Sequence, residues 1–153
     1  MLLPGVAIVV STLIAVLVLA AQLSANRRQL RGALIEKLME RLAEVSVQAE
    51  IRHEKLKSGE PPLHSLRSAM KYFDGSVSAL RFSLPRRERG VVDFVRNTVY
   101  ENSFDDQDSF ALMADSDRAH RYFESWALGQ IPAREFRAYN RFNAGNTLPP
   151  SFR

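Results

Sequence analysis

The chain has 153 residues, with 21 Lys and Arg against 17 Asp and Glu, a net charge of +4 and no cysteine. The missing thiol excludes disulfides, thiolate zinc sites, iron–sulfur clusters and a cysteine nucleophile. Seventeen of the 21 basic residues are arginine, whose planar fork suits carboxylate and phosphate, although genome composition alone also raises arginine content.

The first element is apolar. Residues 1–26 carry no ionisable side chain, and residues 6–23 hold eleven Val, Leu or Ile with only Ser11, Thr12 and Gln22 as polar members. At about −0.3 to −0.6 kcal/mol each, the eleven favour a bilayer by about 3–6 kcal/mol. Eighteen to twenty helical residues span roughly 27–30 Å, the thickness of a hydrocarbon core. A soluble core helix of this length would show a polar face, and none is present. A cleaved signal peptide is the rival, with small residues around Val18–Gln22 as the cleavage site. Its positive flank would precede the run, whereas here Arg27, Arg28 and Arg31 follow it. The positive-inside rule then leaves the amino terminus outside and the remainder cytoplasmic. Residues 1–25 are thus expected to be a single transmembrane anchor, with Arg27, Arg28 and Arg31 in contact with lipid headgroups at about 1 kcal/mol each.

Residues 26–58 turn amphipathic. Leu30, Leu34, Leu38, Leu42, Val45 and Ala49 fall at steps of four, four, four, three and four, one face of a helix widened by Ile35 and Met39. Lys37–Glu40 and Arg41–Glu44 are helical-neighbour ion pairs on the other side. Ser58-Gly59 and Pro61-Pro62 end the helix. It reads as a juxtamembrane stalk of about 50 Å, with Gly32 a place where it could break. Its face of Leu30, Leu34, Leu38, Leu42 and Val45 is the candidate contact for a partner helix, or for the chain's own bundle.

Residues 59–145 read as a helical domain and 146–153 as a tail. Leu63, Leu66, Met70, Phe73, Val77, Leu80 and Leu84 alternate steps of three and four, a heptad seam and a second candidate contact face. Asp74-Gly75 weakens its middle, and the alternation near Leu80–Leu84 keeps a hairpin as the rival. Val91, Val92, Val95 and Val99 share the face of a third segment whose β-branched residues lower helix propensity. A fourth helix is expected to start at Asp115 or Ser116, to carry Ala119, Tyr122, Phe123 and Trp126, and to stop at Gly129. A fifth starts with Pro132 in its first turn and buries Phe136, Tyr139 and Phe142.

Catalytic motifs are not legible. His53, His64 and His120 lie far apart, without metal-ligand spacing. Asp105, Asp106 and Asp108 invite a calcium-loop reading, but Phe110 and Ala111 stand where ligand and glycine belong. Asp115 and Asp117, two apart on a helix, point in different directions and so do not make an acid–base pair. Phosphate-cradling glycine loops and the nucleophile elbow are missing from the sequence. No catalytic, cofactor or metal residue is assigned. The arginine clusters at residues 81–89 and 118–141 face an acidic stretch, residues 101–117, which points to neutralisation across helices. Nucleic acid is a disfavoured partner, because the aromatics among those arginines fall at core spacing.

The expectation is an all-α chain: one amino-terminal span, then an irregular bundle of four or five helices. The layout resembles that of many small single-pass bacterial proteins, a likeness that covers no motif and implies no activity. The functional expectation is a non-enzymatic interaction module, an accessory or assembly subunit at the cytoplasmic face of a bacterial inner membrane. Its partners would be the lipid bilayer and, through the stalk, a second copy or another membrane protein. An exported cell-envelope protein, such as a phage lysis factor, and a tethered enzyme or toxin are the alternatives.

Overall fold

The computed structural model describes residues 3–59, 65–101 and 109–142, with side chains in 13–59, 65–100 and 109–137. The elements are α1 (Leu3–Lys57), α2 (Ser65–Ser83), α3 (Arg89–Glu101), α4 (Ser109–Ala127) and α5 (Ala133–Phe142). The fold is all-α, and no strand occurs among the described residues. The chain divides into two compact units, Met1–Ala33 and Leu34–Arg153, so the division falls within α1.

In the first unit, α1 presents every residue from Leu13 to Leu30 to its surroundings. Among the described residues no helix is long and apolar enough to cross a membrane. The described side chains begin at Leu13, part-way into the apolar run that starts at Val6, and eighteen residues from Leu13 already take in Arg27 and Arg28. The helix continues unbroken through Gly32.

The second unit holds the core. Leu38, Leu42, Val45 and Ala49 of α1 are fully buried, as their spacing requires. The α2 seam supplies Leu66, Ala69, Phe73, Val77 and Leu80, and Leu84 follows just beyond the helix. Asp74-Gly75 does not interrupt α2, which is one helix rather than a hairpin. Leu63 lies outside the described residues. α3 sits at the centre, packing against α2, α4 and α5. Val91, Val92, Phe94, Val95 and Val99 are all fully buried. Each such side chain contributes about 1.5–3 kcal/mol, which outweighs a propensity cost of up to about 0.7 kcal/mol per valine. Phe94 meets Tyr122 and Phe136 edge-on, at 5.9 and 5.2 Å between ring centroids, and so ties α3 to α4 and α5.

The start of α4 differs from expectation. It begins at Ser109, and Asp115 and Ser116 are buried mid-helix residues rather than caps. Leu112, Ser116, Ala119, Phe123 and Trp126 form one inward stripe at steps of four, three, four and three, with Ser116 as its one polar member. Asp115 is instead met by Arg118 at 3.3 Å. The stop at Gly129 is as expected. Gly129 has φ 76°, its N–H donates to Trp126, and the Gln130 N–H donates to Ser125, the paired bonds of a Schellman end. Gly59, at φ 75°, closes α1 with a bond to Leu56. Phe136 is buried, while the side chains of Tyr139 and Phe142 lie outside the described ones.

Candidate functional site

Three features of the described surface have the chemistry to bind something. The first is the apolar part of α1. Leu13, Ile14, Val16, Leu17, Val18, Leu19 and Leu23 are each at least half exposed, and they point in every direction around the helix. No described side chain covers them. Arg27 and Arg28, beyond the run, are exposed, and Arg31 is half-buried.

The face expected to meet a partner helix is divided by the fold. Leu38, Leu42 and Val45 are fully buried in the second unit's core, Leu34 packs against that core, and Leu30 is exposed. The seam of α2 is buried likewise, apart from Met70 at the margin.

The second feature is a groove of about 380 Å³ between α2 and the α1 segment that begins at Leu34. Leu34, Gly75 and Ala79 give it an apolar floor, and Lys37, Arg41 and Lys71 bring three cations to it. Tyr72 and Ser76 complete the lining. The Arg41 guanidinium lies 5.3 Å from the centroid of the Tyr72 ring and also donates to Glu44, three residues along. Its Nε is buried and has no hydrogen-bond partner. Among the described residues no carboxylate lines the groove, although Glu44 pairs with Arg41. Gly75 has no atom within 4 Å of where a Cβ would stand, so a side chain there would project into open space.

The third is a polar cluster between α2 and α3. Tyr100 donates to Asp74 Oδ2, and Arg96 approaches Asp74 Oδ1 at 3.9 Å. Arg96 also stands 5.6 Å from the Tyr100 ring centroid. Burial pushes the Tyr100 phenol up to about 12, helped by the bond to Asp74 and the carboxylate's charge and opposed by Arg96. The contacts of Asp74 with Tyr100 and Arg96 tie α2 to α3. Other arginines are engaged in the same way: Arg81 pairs with Asp93 at 2.8 Å, and Arg137 donates to the Arg87 carbonyl. Asp105, Asp106, Asp108 and His64 lie outside the described residues. His53 tilts against Phe110 at 5.8 Å, and among the described residues no three His, Asp or Glu side chains gather as a metal site.

Sequence reading did not find the groove. Its walls are the outward faces of two helices, and only packing brings Lys37 and Arg41 beside Lys71. The available signal was Gly75, a glycine inside a helix with no turn to explain it. No family model matches the chain, and no curated protein or solved structure matches it either.

Proposed function

We propose that the protein is a membrane-anchored, non-enzymatic helical interaction module, an accessory or assembly subunit on the cytoplasmic side of a bacterial inner membrane. The observation that carries this reading is the exposed apolar stretch Leu13–Leu23 of α1. It continues the uncharged sequence of residues 1–12 and is followed by Arg27, Arg28 and Arg31. An apolar surface on all sides of a helix is costly in water and favourable in hydrocarbon, and arginines just beyond it hold the following domain on the cytoplasmic side. The role as a module is supported by the ties that hold the domain's helices together, Arg81 to Asp93 and Arg96 to Asp74.

Alkaline carbonate extraction combined with a reporter fused after Arg153 tests the location. Retention in the membrane pellet with a cytoplasm-only signal is expected. Release into the supernatant, or periplasmic reporter activity, overturns the anchor or its orientation respectively. Mass measurement of the protein extracted in mild detergent tests the module: a species heavier than one chain is expected, and a lone monomer overturns it.

A further inference from the structure

Leu34, Gly75 and Ala79 form an apolar floor beneath Lys37, Arg41 and Lys71, a combination suited to an occupant with both a negative head and a hydrocarbon part. We infer that the groove between α1 and α2 binds one acidic phospholipid, its phosphate among the three cations and part of an acyl chain along the floor. The inference rests on the membrane reading for the source of the lipid. A volume of about 380 Å³ lies within the range of ligand sites, roughly 300–1,000 Å³. Arg41 is paired with Glu44, which leaves the exposed Lys37 and Lys71 as the net positive charge lining the groove.

One detail favours a lipid over a bare anion or an acidic protein segment. Gly75 keeps the floor open at a cost to its own helix of about 1 kcal/mol relative to alanine. It has no positive φ and no close neighbour, so neither backbone conformation nor packing calls for glycine there. An anion alone would have no use for the floor, and a helix laid across the groove would have to displace Tyr72, which stands 59% exposed beside it.

The test uses the full chain in nonionic detergent, with thermal unfolding followed by circular dichroism. Dioctanoyl phosphatidylglycerol is expected to raise the melting temperature saturably. Dioctanoyl phosphatidylcholine, inorganic phosphate and a glutamate-rich peptide are expected to leave it unmoved. Gly75→Trp fills the floor, and the double variant Lys37→Ala/Lys71→Ala removes two exposed cations without touching the core. Each is expected to weaken the lipid's apparent Kd by roughly tenfold. An equal rise with phosphatidylcholine overturns the charge recognition, one with inorganic phosphate removes the need for the floor, and one with the peptide makes the occupant a protein. Unchanged lipid binding by the double variant, whose fold is secure, also overturns the inference. Carbonate extraction of the same chain separates the two proposals. A membrane-retained protein without the shift sinks the groove alone, and an extractable protein with the shift sinks the anchor alone.

Discussion

Tyr100 couples a single proton to the contact between α2 and α3. Its phenol is held at about 12 by burial and by the bond to Asp74, above the ordinary value near 10. In the unfolded chain the proton leaves first, so between about pH 10 and 12 the folded state binds more protons than the unfolded one, and stability falls as pH rises. Below pH 10 the contribution is complete. The melting temperature of the parent is therefore expected to drop more steeply across that window than that of Tyr100→Phe. At neutral pH the variant should be less stable by about 1 kcal/mol, the loss of one hydrogen bond to a half-buried carboxylate. Denaturant titrations at neutral and alkaline pH read both effects, and identical alkaline slopes would refute the assignment.

Among the elements, the two glycines Gly75 and Gly129 make opposite predictions. Gly129 occupies the left-handed region and closes α4, so Gly129→Ala is expected to destabilise by about 1–2 kcal/mol. Gly75 sits in ordinary helical backbone with open space above it, so Gly75→Ala is expected to stabilise by about 0.5–1 kcal/mol. Chemical denaturation of the pair checks the sign of each. The same contrast explains what the sequence disclosed. Where every member of a stripe is apolar, as from Leu38 to Ala49 or across the α3 valines, periodicity locates both the helix and its buried face. Gly129 marks an end because left-handed backbone there excludes nearly every other residue. The start of α4 was not legible because its inward stripe includes Ser116, beside Asp115. Both residue types favour helix caps, and only the packed fold shows one of them facing the core.

At the scale of the whole molecule, the sequence carried the all-α architecture and the apolar segment, but not the groove. A helix seam is a property of one stretch of chain, whereas a groove depends on which outward faces come to lie side by side. Lys37 and Lys71 each read as a solvated charge on its own helix and acquire a joint meaning only when α1 and α2 are neighbours. The arginine clusters follow the same logic. Arg81 and Asp93 cancel across two helices, a pairing of α2 with α3 rather than with the acidic stretch at residues 101–117; of that stretch, residues 102–108 lie outside the described ones and Asp115 pairs with Arg118 on its own helix.

Thr98 and Ser116 are fully buried, and the hydroxyl of each lacks any acceptor or donor. An unsatisfied buried hydroxyl costs about 1–3 kcal/mol, and an apolar group of the same shape removes that cost. Thr98→Val is therefore expected to raise the free energy of unfolding by about 1 kcal/mol, measurable by urea titration, and an unchanged or lower midpoint would mean that the hydroxyl has found water. The interior thus keeps a margin for thermal hardening that one methyl-for-hydroxyl exchange would release, on a central helix and without altering any outward-facing residue.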